Sequence, residues 1–90
     1  MNKTIKSKQI VDVLELPKDI VNGIPYLNFE GNVELTIDNH KGIMKYNEEE
    51  INIQTKHFLV KITGKELSIL EYSKYIIVIK GKIEVVQFVS

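Results

Sequence analysis

Residues 60–69, VKITGKELSI, decide the fold, because apolar and polar side chains alternate on both sides of a central glycine. Alternation with a period of two is typical of a β-strand that buries one face. Glycine at the first position favours a two-residue hairpin turn. A turn at Gly64 and Lys65 places Val60 opposite Ile69, so the apolar residues of both arms share one face.

Working outward, the same face continues through the neighbouring turns. Turns at residues 56–57 and 47–50 place Ile53 opposite Val60, Tyr46 opposite Ile51 and Met44 opposite Ile53. Further turns are predicted at residues 30–32, 39–40, 71–75 and 80–82. Agreement between independent turns on one apolar face indicates a single register.

The sequence therefore predicts a mainly β fold, an antiparallel meander of about eight short strands over residues 26–89. One apolar face must be covered, so we expect the meander to curl into a small barrel or a sandwich. The offset of 17 residues between Gly64 and Gly81 leaves a β-roll or solenoid as the alternative.

The segment before the strands has a helical period. Ile10, Val13 and Leu14 share one helix face, and Pro17 interrupts the pattern. We expect short helical pieces over residues 3–22. The whole chain, residues 1–90, is predicted to be a single domain, because 90 residues supply one modest core.

The composition argues against several classes of protein. Twelve basic residues, all Lys, balance twelve acidic ones, which does not favour a nucleic-acid-binding surface. The sequence contains no Cys, so it has neither disulfides nor thiolate chemistry. No signal peptide and no apolar run of membrane-spanning length is apparent, so we expect a soluble, cytoplasmic protein.

The candidate chemical sites are weak. His40 and His57 fall in turns at the same predicted end of the sheet, but a metal site would need a third ligand. The serines lie in no nucleophile motif, and the five glycines form no phosphate-binding loop. We therefore expect no catalytic residues, no metal, no cofactor and no enzymatic activity.

The C-terminal hairpin departs from one-sided alternation. Four apolar residues are predicted on the face that is polar elsewhere: Ile76, Val78, Val86 and Phe88. A strand that is apolar on both faces must be covered on both. We expect either the N-terminal helix or another protein chain to cover this surface.

Four short motifs resemble the YabP/YqfC family of sporulation proteins, in its YqfC branch. They are ELPKD at residues 15–19, GN at 31–32, NHKGI at 39–43 and ITGKEL at 62–67. The resemblance spans about residues 13–88. It implies a small protein in the mother cell of endospore-forming bacteria, with no known catalytic activity.

The resemblance also implies a role in interaction or assembly. The partner would be a protein, such as a membrane-bound sporulation protein of the YqfD kind, or a second copy of the chain. Attachment to a membrane would then be peripheral. The expected partner surfaces are the turn at Asn39, His40 and Lys41 and the apolar residues of the C-terminal hairpin. The alternative is a small β-barrel that binds a ligand.

Overall fold

The computed structural model describes residues 23–90, which form six β-strands and no helix. The strands are β1 (Tyr26–Glu30), β2 (Glu34–Asp38), β3 (His40–Tyr46), β4 (Glu50–Thr55), β5 (Leu59–Tyr72) and β6 (Ile76–Val89). The predicted helical segment, residues 3–22, lies outside the described residues, and so does its expected contact with the C-terminal hairpin. The predicted mainly antiparallel β fold is confirmed, since every pair of neighbouring strands is antiparallel.

The strand order differs from the predicted meander. The six strands form one sheet in the order β1-β2-β6-β5-β4-β3, so β2 pairs with β6 and not with β3. On a flat sheet β2 and β3 would lie four strand spacings apart, about 19 Å. Only Asn39, in a left-handed conformation with φ 66°, connects them. Because one residue spans less than 4 Å, the sheet must curl over its inner face.

The curled sheet does not close. Within residues 23–90, β1 and β3 are edge strands and do not pair with each other, so the predicted barrel is wrong. A solenoid is also wrong, because the strands do not stack in chain order. What remains of the expectation is a sheet that folds around one apolar interior.

Residues 60–69 do not form a hairpin but lie within the single 14-residue strand β5. Val60 pairs with Phe88, so the predicted pair with Ile69 is wrong. A β-bulge between Lys65 and Ser68 adds a residue to β5 and resets the alternation on its far side. A hairpin turn and a bulged strand therefore produce the same local pattern of apolar residues.

The structure has six strands where about eight were predicted, because two glycines that were predicted to lie in turns lie inside long strands instead. Strand β5 runs through Gly64 and β6 runs through Gly81, where the turn at residues 80–82 was expected. A Cβ at Gly64 would collide with the backbone carbonyl of Lys82. A Cβ at Gly81 would lie 2.6 Å from the carbonyl oxygen of Glu66. The glycines are there because the two backbones approach closely, not because the chain reverses.

The same pattern of strand pairing occurs twice in the sheet. The first half of the sheet consists of β1, β2 and the beginning of β6, where β1 pairs with β2 and β2 pairs with β6. The second half consists of β3, β4 and the beginning of β5, where β3 pairs with β4 and β4 pairs with β5. Leu35 lies opposite Ile79 in the first half, and Ile51 lies opposite Ile62 in the second. The 17-residue offset between the glycines therefore reflects two equivalent halves.

Both halves contribute to one core. Its members are buried apolar side chains from β2, β4, β5 and β6: Leu35, Ile37, Ile51, Ile53, Val60, Ile62, Leu67, Ile77, Ile79 and Ile83. Burial at about 25 cal/mol per Å² makes this cluster the main stabilising contribution. Most are fully inaccessible, so the interior is filled and does not form a ligand cavity.

Two of the predicted turns place β4 correctly. The pair of Ile53 with Val60 is confirmed, and so is the pair of Tyr46 with Ile51. The predicted partner of Ile53 on β3 is wrong, because Ile43 and not Met44 lies opposite it. A bulge in β3 causes this shift, and a bulge cannot be read from apolar alternation.

Candidate functional site

An open pocket of ≈ 560 Å³ lies at the end of the sheet where three connections meet. These are the β2–β3 junction, the β4–β5 turn and the β5–β6 turn. The pocket contains all three residues of the turn that the sequence singled out, and it is lined by Gly23, Asn39, His40, Lys41, Lys56, Tyr72, Lys74 and Tyr75. The structure thus brings together residues from distant parts of the sequence.

Backbone hydrogen bonds fix the β2–β3 junction against the β5–β6 turn. The amides of Asn39 and His40 both donate to the carbonyl oxygen of Tyr75, at 2.7 and 3.4 Å. The Asn39 side-chain amide donates to the carbonyl of Ile24 at 2.9 Å. Asn suits this place because it tolerates the left-handed conformation better than most residues. One wall of the pocket is therefore held in place from both sides.

His40 is buried at the pocket, with 5% of its surface exposed. Its Nε2 lies 2.7 Å from the carbonyl oxygen of Ser73. A carbonyl only accepts, so this contact requires the hydrogen on Nε2. The other ring nitrogen, Nδ1, is buried and has no hydrogen-bond partner in the structure of residues 23–90. The ring of Tyr72 packs on the imidazole with 5.3 Å between centroids.

The pocket is positively charged. Lys41, Lys56 and Lys74 line it, and no Asp or Glu of the described residues does. Lys74 also lies over the ring of Tyr75, with its Nζ 5.4 Å from the ring centroid. Within residues 23–90, the side-chain ion pairs join Glu50 to other lysines, away from this pocket. The arrangement can attract and hold an anion.

The predicted placement of the two histidines at the same end of the sheet is confirmed, but His40 is the first residue of β3 and does not lie in a turn. His40 lies opposite Thr55 in the β3–β4 register, and His57 follows two residues later in the β4–β5 turn. Within residues 23–90, no three His, Cys, Asp or Glu side chains are placed to share a metal ion. The same part of the chain contains no helix with the length and apolar character needed to cross a membrane.

The predicted apolar surface of the C-terminal hairpin is divided between two faces. Val86 lies opposite Ile62, and Phe88 lies opposite Val60, so both point to the inner face. A β-bulge earlier in β6 reverses the alternation that the sequence predicted. Phe88 remains 60% exposed and packs edge-to-face on Phe58, with 5.1 Å between centroids.

The other two residues of that surface lie on the outer face. Ile77 between them pairs with Ile37 in the core, so Ile76 and Val78 point the opposite way. Val78 is already buried and Ile76 is partly buried. The four residues therefore do not form one continuous surface. Whether either pair contacts a partner stays a prediction.

Sequence reasoning missed the two edges of the sheet. Phe29 on β1 lies opposite buried Leu35, and Tyr46 on β3 lies opposite buried Ile51. Both aromatic rings thus belong to the inner face, yet about half of each is exposed (49% and 53%) because a strand covers them on one side only. Their alternation signals the inner face, but only the strand order reveals the edge.

Similarities to known proteins cover the whole described sheet. The model of the YabP family matches residues 24–90. The chain is also 30% identical over 77 residues to a protein of Bacillus subtilis (strain 168) named "Uncharacterized protein YqfC". That alignment covers 86% of this chain and 83% of the relative. The matched region contains all six strands and every pocket residue except Gly23.

Proposed function

The chain belongs to the YabP family, which is associated with sporulation, and from this membership we propose that it is a non-catalytic interaction or assembly module of spore formation. The resemblance found in the sequence motifs is confirmed by the same match. In the proposal the protein works in the cytoplasm of the mother cell. Its partner is a protein, for which a membrane-bound sporulation protein of the YqfD kind is the first candidate.

The observation that carries this proposal is the edge strand β1. Its five residues pair with β2 without any register shift, and they include no Lys and no Pro. Natural proteins protect exposed edges with charges, prolines or bulges, because an unpaired edge offers backbone groups to another strand. Within the described sheet, β1 has no bulge, no Lys and no Pro, and its one charged residue, Glu30, stands at its end.

The opposite edge, β3, is protected. It contains two register shifts, and it includes Lys41 and Lys45. Bulges interrupt the regular row of backbone donors and acceptors that a new strand would need. The two edges therefore differ in their capacity to accept a partner.

We infer that a strand of the partner protein adds to β1. Main-chain hydrogen bonds would supply affinity, and the exposed part of Phe29 would supply an apolar contact for the incoming strand. Leu27 lies on the same face and is partly buried against the core. An apolar side chain of the partner next to these two would extend the core across the interface.

The test uses the absence of Cys from the chain. A single cysteine is introduced on the outer face of β1 by Asn28→Cys, or on the outer face of β3 by Lys45→Cys as the matched control. Each purified protein carries a benzophenone label and is irradiated with the purified candidate partner. We expect a specific cross-link from position 28 and little or none from position 45.

A functional arm compares equivalent edge residues in a spore-forming host. Phe29→Lys places a charge on the inner side of the β1 edge, and Tyr46→Lys does the same on β3. We expect Phe29→Lys to lower the count of heat-resistant spores and to weaken the cross-link, while Tyr46→Lys leaves both near wild type. Circular dichroism of both variants checks folding. Equal effects of the two variants, or normal spores from both, would contradict docking on β1.

A ligand-binding barrel, the alternative from the sequence, has less support. The sheet is open and its inner face is filled with buried side chains. A ligand would have to bind outside the core.

A further inference from the structure

The positive charge of the pocket at the β2–β3 junction does not follow from the overall charge of the chain. The chain has a formal net charge of zero, yet three lysines and no described carboxylate line this one pocket. Lys41 lies at the start of β3, Lys56 in the β4–β5 turn and Lys74 in the β5–β6 turn, and they are at least 15 residues apart in sequence. Local concentration of one charge in a concave site favours an oppositely charged ligand.

The second observation is independent of charge. Only 5% of the surface of His40 is exposed at the same pocket. Its Nδ1 has no hydrogen-bond partner among the described residues. With the hydrogen on Nε2 and directed at Ser73, Nδ1 is an acceptor. Buried polar atoms are rarely left unpaired, because burial without a hydrogen bond is costly. A hydroxyl donor that reaches this nitrogen would satisfy it.

Size and walls are consistent with a small molecule. The pocket volume, ≈ 560 Å³, lies within the range of about 300–1,000 Å³ that is typical of small-molecule sites. Tyr72 and Tyr75 form part of its lining. The backbone around Asn39 and Tyr75 is tied together by hydrogen bonds, so this side of the pocket is formed in advance.

We propose that this pocket binds a phosphate group that carries a hydroxyl on a neighbouring carbon, as in a glycerol or sugar phosphate. The three lysines hold the phosphate, which Lys binds as a point charge. The hydroxyl donates to Nδ1 of His40, which becomes accessible when the ligand binds, since this atom is buried in the free protein. The proposal goes beyond the interaction role, since it assigns a small ligand to a pocket that the docking of a strand on β1 does not use.

The binding test uses the full chain, so that residues 1–22, which precede Gly23 at the pocket, are present throughout. Glycerol 3-phosphate is titrated into ¹⁵N-labelled protein, and amide chemical shifts are followed. We expect saturable shifts at the amides of residues 39–41, 56 and 72–75. Added salt should weaken the binding, because part of the attraction is between exposed charges.

Two double variants, each of which removes two positive charges, distinguish binding in the pocket from nonspecific binding to surface charge. Lys41→Gln with Lys74→Gln removes two charges from the pocket, while Lys65→Gln with Lys82→Gln removes two from a facing pair on β5 and β6 outside it. We expect the pocket variant to raise the Kd about tenfold or more and the control variant to change it less than about twofold. An equal loss in both variants would overturn the proposal, because the binding would then follow net charge.

A third variant tests the hydroxyl. Propyl phosphate has the same phosphate and carbon number without hydroxyls, so we expect it to bind wild type several-fold more weakly than glycerol 3-phosphate. His40→Gln keeps an amide donor for Ser73 but offers no acceptor at the position of Nδ1. This preference should disappear in His40→Gln. A preference that is unchanged in that variant would overturn the role of Nδ1.

The phosphate could be free or part of a lipid headgroup, and a second arm distinguishes these sources. Vesicles of phosphatidylglycerol are compared with vesicles of phosphatidylcholine in a flotation assay with the same variants. Binding of glycerol 3-phosphate identifies a soluble ligand, and binding of phosphatidylglycerol vesicles alone identifies a headgroup. Binding of neither probe at the pocket residues overturns the proposal.

Discussion

The β1–β2 hairpin and the β3–β4 hairpin occupy equivalent places in the two halves of the sheet. Each contributes an inner strand with two fully buried residues, Leu35 and Ile37 in β2 and Ile51 and Ile53 in β4. Each inner strand pairs with the beginning of one long strand. In these respects the two halves of the sheet have the same structure.

The halves differ at their outer strands. β1 is regular along its length, whereas β3 has two register shifts and two lysines. Glu50, at the start of β4, forms ion pairs with Lys45 at 3.2 Å and Lys61 at 3.9 Å, and the first hairpin has no such pair within the described residues. The core fixes what faces inward, while each edge is free to be protected or exposed. The difference between the edges is therefore where we expect specific function.

The largest expected effect tests the close approach of the two long strands. Gly64→Ala would drive a Cβ into the carbonyl of Lys82, and Gly81→Ala would place one 2.8 Å from Cα of Leu67 at a backbone φ of +140°. Backbone atoms cannot move aside as a side chain can. We expect each substitution to cost roughly 4 kcal/mol or more, by chemical denaturation.

Gly31 supplies the matched control for these two positions. Its φ is +53°, and nothing lies within 4 Å of an added Cβ. Gly31→Asn should therefore cost about 1 kcal/mol or less, since Asn tolerates this conformation. Near-normal stability of the Gly64→Ala or the Gly81→Ala variant would mean that β5 and β6 do not approach each other so closely at these glycines.

A smaller effect tests whether the two cores are equivalent. Ile37→Ala in the first half and Ile53→Ala in the second each empty a fully buried site. We expect each to lower the free energy of unfolding by about 3 kcal/mol, and the two losses to agree within about 1 kcal/mol. Val85→Ala, at a position 46% exposed, should change it by less than about 0.5 kcal/mol. Strongly unequal losses of stability at Ile37 and Ile53 would show that the two halves do not contribute equally to the core.

The smallest effect belongs to the second hairpin alone. The hydrogen bond from Lys45, with further help from Asn52 and the charge of Lys61, lowers the pKa of Glu50 below its ordinary 4.5. Because the pKa is lower in the folded state, its contribution to stability is complete above pH 4.5. That contribution is lost as the pH falls through the folded-state value.

The measurement is an NMR titration of the Glu50 side-chain carboxyl. Lys45→Met should move the pKa of Glu50 up towards 4.5, because it removes the largest cause of the shift. Lys65→Met, which removes a charge elsewhere on the sheet, is the control. A titration that is the same in all three proteins would show that the ion pair does not persist in solution.

Much of the inner face could be predicted from the sequence. Alternation identified Val60, Ile62 and Ile53 as inward-facing, and the turn at residues 56–57 paired them correctly. The bulges could not be predicted, because an extra residue in a strand leaves no signal in a local pattern. This is why Val86 and Phe88 were assigned to the wrong face.

The candidate site was predicted only in part. The turn at Asn39, His40 and Lys41 was singled out, and the structure places it in the pocket. The contributions of Lys56 and Lys74 were missed. They meet this turn only because the sheet curls and brings three connections to one end.

By itself, the sequence determined the fold class, the identity of most core residues and the family. These follow from local alternation and from short motifs, which are properties of neighbouring residues. Only the tertiary structure decided the strand order, the passage of β5 and β6 through Gly64 and Gly81, and the exposed edge at β1. Alternation specifies which face of a strand is buried but not which strand lies beside it, since any apolar strand can cover another. The choice of neighbour rests on a left-handed Asn39 and on glycines that allow two backbones to touch, and both are satisfied only when the whole sheet has formed.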